Sequence, residues 1–131
     1  MKKIAIVVAE FNESLTKKMQ ETAEAEIRKN NAEISEIISV PGAFEIPYAV
    51  SKAIENADAV VTLGVVIQGK TDHDVVIVNA IAPKLIDISI QHKKPIGFGV
   101  IGPRVSKQEA EDRVEEYARR AVLTVTKVLE F

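Results

Sequence analysis

Apolar runs alternate with amphipathic stretches along this chain, and each stretch has its own period. Residues 4–9, Ile-Ala-Ile-Val-Val-Ala, are an unbroken apolar run, as expected for a parallel strand covered on both faces. Leu15, Met19, Ala23 and Ile27 recur every four residues, which predicts a helix over 15–29 with one apolar face. Residues 33–40 form a second strand with fewer apolar positions, which places it nearer an edge, and Pro41-Gly42 ends it. A helix is predicted over 44–56, with Pro47 tolerated in its first turn, where no N–H has a helical partner to lose. Residues 59–67 are the most apolar strand and are expected at the centre of a sheet, and 95–101 are the last strand, closed by Gly102-Pro103. Ser106 with Glu109 three residues on is a capping-box pattern. It opens a final helix with the stripe Ala110, Val114, Ala118, Ala121, Val122, Val125 and Leu129.

Residues 74–91 admit two readings. Val75-Val76-Ile77-Val78 alone has strand character, as β-branched residues pack well on a pleated surface. The length of the segment and its ends favour a helix: Thr71 and Asp74 as a cap pair at the start, and His92-Lys93-Lys94-Pro95 as positive charge and a stop. Pro83 is expected to kink this helix or shift its start. Its apolar residues, among them Val75, Val78, Ile81, Leu85, Ile86 and Ile90, point nearly all round. One sheet cannot cover all those directions, so a second subunit is expected on the rest.

Alternating strands and helices imply one α/β domain over 1–131 with a parallel sheet. Such sheets bind ligands beyond the carboxyl ends of their strands. Phe11, Phe44 and Phe98 fall at or near those ends, which suits a flat ring ligand.

Composition narrows the partners. The 131 residues are 47% hydrophobic and 27% charged, with a formal charge of −2 and no long basic run, so nucleic acid is not an expected partner. Cysteine is absent and His73 and His92 are the two histidines, so neither disulfides nor a metal site are expected. No apolar run approaches the roughly 18 residues of a membrane span. The amino terminus lacks the features of a secretion signal, so a cytoplasmic location is expected.

The most informative stretch is Gly64-Val65-Val66-Ile67-Gln68-Gly69-Lys70-Thr71-Asp72-His73-Asp74. An apolar strand runs through a glycine turn into a helix start. Backbone N–H groups at such a start can hold an anion, and His73 stands beside them as a titratable imidazole. The position fits a proton-transfer group next to a phosphate, and equally an exposed histidine with no chemical role. Gly69-Lys70-Thr71 reads as a phosphate turn or as an ordinary turn and cap. Glu45 could accept hydrogen bonds from a polyol or simply complement a helix dipole. Phe11 could stack on a ligand or dock on a neighbour. Arg113 and Arg104 are candidate anion contacts, and a solvated arginine is the plainer reading of Arg113. His92 with Lys93 and Lys94 fits a favourable helix C-terminus.

Together these residues resemble the lumazine synthase family. The resemblance spans essentially the whole chain. It rests on Glu10-Phe11-Asn12, on Val40-Pro41-Gly42-Ala43-Phe44-Glu45-Ile46-Pro47, on the stretch from Leu63 to Asp74, and on Pro95-Ile96-Gly97-Phe98-Gly99-Val100. The compact His73-Asp74 and short amino terminus are similar to the archaeal branch. The resemblance implies a flavodoxin-like, three-layer α/β/α sandwich on a four-stranded parallel sheet. It also implies a homopentamer, in some members twelve pentamers in an icosahedral shell, with the active site at the subunit interface. The implied reaction condenses 5-amino-6-(D-ribitylamino)uracil with 3,4-dihydroxy-2-butanone 4-phosphate to 6,7-dimethyl-8-ribityllumazine, without metal or organic cofactor.

Position by position, the resemblance implies that Phe11 stacks on the pyrimidine. Asn12, Ala43, Phe44 and Glu45 would hold the ring and ribityl chain, and Val65, Val66 and Ile67 would line the ring pocket. Gly69, Lys70 and Thr71 would cradle the phosphate, and His73 would move protons. Phe98 and Arg113 would come from the adjacent subunit. Gln68 departs from the arginine of many relatives, and Lys70 offsets the missing charge. The competing readings are an archaeal-type riboflavin synthase, a flavodoxin-like flavin carrier or receiver module, and a non-catalytic shell protein. The retained His73 turn and Ala43-Phe44-Glu45 oppose the first. The absence of a phosphate loop or acidic pair after the first strand opposes the second.

Overall fold

A computed structural model describes residues 1–131. Strand β1 spans Lys3–Ala9, β2 Glu33–Val40, β3 Ala59–Val65 and β4 Ile96–Ile101; helix α1 spans Glu13–Lys29, α2 Ile46–Ala53, α3 His73–His92 and α4 Lys107–Val128. A short 3₁₀ turn, Ala43–Glu45, leads into α2. The strands form one parallel sheet in the order β2-β1-β3-β4. The most apolar strands, β1 and β3, therefore lie inside, and the more polar β2 is an edge. Helices α1 and α4 cover one face of the sheet and α2 and α3 the other, giving the three-layer α/β/α, flavodoxin-like architecture.

The unbroken apolar run of β1 has a direct cause in this layering. Ile4, Ile6 and Val8 pack with Met19, Ile27 and Val122 on the α1/α4 side. Ala5, Val7 and Ala9 pack with Ile46, Val50 and Ile81 on the other. A strand buried on both faces has no polar alternate to display. Gly97 and Gly99 let α4 ride close to the sheet. A Cβ at Gly97 would lie 2.5 Å from the Ala121 carbonyl oxygen, well inside van der Waals contact.

Several expected boundaries move. The third strand ends at Val65 rather than Ile67, although the Val66 N–H still donates to the Ile101 carbonyl at 2.8 Å. The segment predicted as one helix over 44–56 is the 3₁₀ turn plus the shorter α2. Leu129 falls just past the end of α4 and packs against the core from there. Residues 74–91 are helical, and α3 runs without interruption through Pro83. Pro83 and Asn79, whose carbonyl loses its helical partner to the proline, are both on the exposed side of the helix. The expected Thr71–Asp74 cap pair does not form. Asp72 is the N-cap residue, without a side-chain cap bond, and Asp74 is turned inward to another loop. At the other end Lys93 adopts a left-handed φ of 54° and closes the helix before Pro95 is reached.

The expected uncovered surface on α3 is real. Val78, Ile81 and Leu85 are buried, while Val76, Ile86 and Ile90 stay exposed. Beside them, Phe98 on the edge strand β4 joins Ile86, Ile90 and Ile96 around an apolar groove of about 270 Å³.

Candidate active site

The carboxyl ends of β1, β2 and β3 and the start of α3 enclose a cleft of about 400 Å³. Phe11, Ala43, Phe44 and Glu45 form one wall, Val65, Val66 and Ile67 form the floor, and Gly69 and His73 form the far side. These positions, scattered through four segments of the sequence, are brought together as parallel topology requires.

The first wall is held rigidly by the backbone. The Glu10 N–H donates to the Val40 carbonyl at 2.7 Å and the Phe11 N–H to Pro41 at 3.0 Å, so the loop after β1 continues the β1–β2 pairing. Asn12 takes a left-handed φ of 66°, a conformation asparagine tolerates better than most residues. Its amide Nδ2 donates to the Val65 carbonyl at 2.9 Å, tying the end of β1 to the end of β3. Asn12 therefore shapes the cleft from behind rather than lining it. One Glu45 oxygen accepts from the Gly42 N–H at 2.9 Å. That leaves the other carboxylate oxygen available, so the cap does not exclude a binding role. Phe11 is 72% exposed and Phe44 62%. Burying a ring of this size is worth roughly 1.5–3 kcal/mol, so two phenylalanines left in water on one rim mark a surface suited to a flat ligand or to a neighbouring chain.

The far side is looser. Gly69 has open space where a side chain would project and is not among the glycines with positive φ. Its value there is the room it leaves beside the backbone, not a special conformation. Lys70 and Thr71 are exposed. The Thr71 Oγ1 accepts from the His73 N–H at a long 3.4 Å. His73 opens α3 and lines the cleft; N–H groups in a helix's first turn lack helical partners and favour an anion.

The cleft also contains Gly42, Asp74 and Ile77. Sequence reasoning assigned none of these to the ligand. Ile77 stands one turn after His73, so the two share a helix face, and i, i+4 spacing was the signal available.

Over residues 1–131 the chain matches the 6,7-dimethyl-8-ribityllumazine synthase family. The chain belongs to this family. A 6,7-dimethyl-8-ribityllumazine synthase from Staphylothermus marinus is 44% identical over 131 residues, covering 98% of this chain and 87% of the relative. One from Aeropyrum pernix is 46% identical over 129 residues, covering 96% and 88%. Among solved structures, the ABC domain in complex with L-Trp from Streptococcus pneumonia superposes with a TM-score of 0.53 at 18% identity. That match covers 98% of this chain and 40% of the other, and the likeness is one of fold.

Two residues that the lumazine synthase family pattern marks lie away from the cleft of their own chain. Phe98 points from β4 into the apolar groove along α3. Arg113 sits on α4, in the layer on the opposite side of the sheet from α3, and its Nη1 donates to the Glu109 carbonyl at 2.9 Å. Glu109 itself is held below its ordinary carboxylate value. The Ser106 backbone N–H, at 2.9 Å, is the largest cause, followed by the Ser106 hydroxyl; nearby Arg113 adds to them. The capping box anticipated from Ser106 and Glu109 is fully formed.

Proposed function

We propose that this cleft is where the chain carries out the family's reaction. As a lumazine synthase, the protein is a transferase of riboflavin biosynthesis. It condenses 5-amino-6-(D-ribitylamino)uracil with 3,4-dihydroxy-2-butanone 4-phosphate, giving 6,7-dimethyl-8-ribityllumazine, phosphate and water. The single observation that carries the assignment of the site is the pairing of two exposed phenylalanine rings on one wall with His73 at a helix start on the other.

In this reading Phe11 stacks on the pyrimidine, and Ala43 and Phe44 hold it from the side. Val65, Val66 and Ile67 form the apolar floor. Glu45 meets the ribityl chain, and Asn12 supports that wall from behind through its bond to Val65. Gly69, Lys70 and Thr71 receive the phosphate on backbone N–H groups, a hydroxyl and a positive charge. His73 takes a proton from the attacking amine and returns one as water and phosphate leave, the role of a group whose ordinary range lies near neutrality. Holding both substrates in one cleft supplies much of the rate, because alignment replaces a bimolecular encounter. No cofactor enters.

Phe98 and Arg113 complete the site from the adjacent subunit. Supporting this, the uncovered apolar surface of Val76, Ile86, Ile90 and Phe98 is of the kind that marks a protein interface. The assembly is a homopentamer, or pentamers joined in an icosahedral shell, and it works in the cytoplasm. Mixing the purified protein with both substrates and following lumazine absorbance and fluorescence tests the activity. Product from both together and from neither alone is expected. Consumption of lumazine alone, with riboflavin formed, would overturn it.

A further inference from the structure

We propose that Asp74 is a positioning residue for this reaction: its buried carboxylate locks the Arg104 turn onto the first turn of α3 and so fixes the phosphate side of the cleft. The proposal rests on the assignment of the phosphate to Gly69-Lys70-Thr71 beside His73.

Two acidic side chains are buried in the molecule, Glu26 and Asp74. Glu26 is met by a cation, the Arg119 guanidinium at 3.5 Å, and by the Asn30 amide at 3.0 Å. Asp74 is only 3% exposed, and its one bond is to a main-chain donor, the Arg104 N–H at 2.8 Å. A carboxylate is costly to bury without a cation, so its place here calls for a reason beyond packing.

The geometry supplies one. The chain after β4 runs beside the chain after β3, joined where the Val66 N–H meets the Ile101 carbonyl and the Gln68 N–H meets Val105, each at 2.8 Å. Between these two contacts the backbone bulges, with Gly102 at φ 119° and Arg104 at φ 62°. A non-glycine residue at positive φ persists where its surroundings hold it, and within this turn the bond to Asp74 is the side-chain contact on Arg104's own backbone. The same bond ties down α3. Asp72 gives that helix no side-chain cap, and the Thr71–His73 contact is long at 3.4 Å. Asp74, immediately after His73, is therefore the one short side-chain tie on the turn that carries the imidazole and the anion-facing N–H groups. The opposite wall packs against α3 but has ties of its own. Phe11 and Glu45 are set by Glu10–Val40, Phe11–Pro41, Asn12–Val65 and Gly42–Glu45 bonds of 2.7–3.0 Å.

Loss of Asp74 should thus fall on one substrate. The test compares Asp74→Ala and Asp74→Asn with the parent, varying each substrate in turn. Alanine is expected to lower kcat/KM for the butanone phosphate by ~10–100-fold, the scale of an ångström-sized misplacement, with KM for the uracil substrate within about 2-fold. Asparagine keeps an oxygen that accepts from the Arg104 N–H and is expected to restore most of the loss. Equal losses for both substrates, parent-like activity for alanine, or asparagine no better than alanine would each overturn the proposal. If alanine does not fold, Asp74→Glu takes its place: it keeps the charge but shifts the oxygen by one methylene, and parent-like kinetics would again overturn it. Hydrogen exchange at the Arg104 amide reads the anchor without turnover. It should speed up in Asp74→Ala and return toward the parent rate in Asp74→Asn, and unchanged exchange in alanine overturns the anchoring. A parent that makes no lumazine fails the assignment of the reaction instead.

Discussion

The two faces of the sheet are finished to different degrees. On the α1/α4 side the chain is nearly complete, with Leu123 the one large apolar side chain of these two helices left exposed. The stripe of α4 from Ala110 to Val125 is buried, Glu26 is clasped by Arg119, Lys18 meets Glu115 at 3.4 Å, and Ser106 caps the helix. On the α2/α3 side, Phe11, Phe44, Val76, Ile86, Ile90 and Phe98 remain in water, and the helix start at His73 lacks a side-chain cap. The first face serves stability. The second is left open along α3 and at the cleft, so most of the stabilising contacts lie on one side of the sheet and most of the proposed site on the other, Arg113 on α4 excepted.

The sharpest way to break this contrast is to cut an isoleucine from each face. Ile27, on the inner face of α1, is fully buried. Ile27→Ala should cost about 2–5 kcal/mol of stability in denaturant unfolding, the transfer loss plus a cavity. Ile90 is 69% exposed on α3, and Ile90→Asp should leave the fold of the isolated chain nearly unchanged, within about 0.5 kcal/mol. Its effect should instead appear in sedimentation as a smaller assembly, with activity lost alongside. If Ile90→Asp lowers the unfolding midpoint as much as Ile27→Ala, or leaves the assembly size unchanged, the division of labour between the faces is wrong.

Next in size is the chemistry on the open face. His73→Ala should slow turnover by ~10²-fold for a lost acid–base group, with assembly size and unfolding midpoint unchanged. Parent-rate turnover would remove the proton-transfer role. Arg113 probes the same face from the other side of the sheet. Arg113→Ala should raise KM for the butanone phosphate by about 10-fold, as expected for a charged hydrogen bond of ~1.5 kcal/mol, with little change for the uracil substrate. Reassembling His73→Ala with Arg113→Ala subunits should recover part of the parent activity, because some sites then combine an intact His73 with an intact neighbouring Arg113. No recovery would place both residues in one subunit's site.

The finished face was the more legible in the sequence, for a physical reason. Its order comes from local patterns: the four-residue stripe of α1, the unbroken run of β1 and the Ser106–Glu109 box each declare themselves within a few residues. The walls of the cleft were legible as motifs at strand ends. What their spacing could not convey was the set of contacts closed by tertiary folding. Asp74 looked like a cap partner of Thr71, and it is the contact with Arg104, 30 residues on, that draws it inward instead. Asn12 looked like a ligand contact, whereas its amide reaches the Val65 carbonyl 53 residues away. Pro83 was expected to kink α3 or shift its start, and the helix begins at His73 and runs on through the proline.

The smallest expected effect tests how complete the finished face is. Glu109 accepts from the Ser106 backbone N–H, and its carboxyl is held below its ordinary value chiefly for that reason. A carboxylate whose value is lower folded than unfolded adds stability above its unfolded value and loses it as pH falls through the folded one. Glu109→Gln keeps an oxygen for the Ser106 N–H but removes the charge from the first turn of α4. The parent should therefore unfold at a slightly higher temperature than the glutamine variant near neutrality. That gap should close as pH drops through and below the usual carboxylate range, and the group's full exposure keeps it small. A gap that persisted unchanged to low pH would mean that the side chain's shape, not its charge, completes the cap.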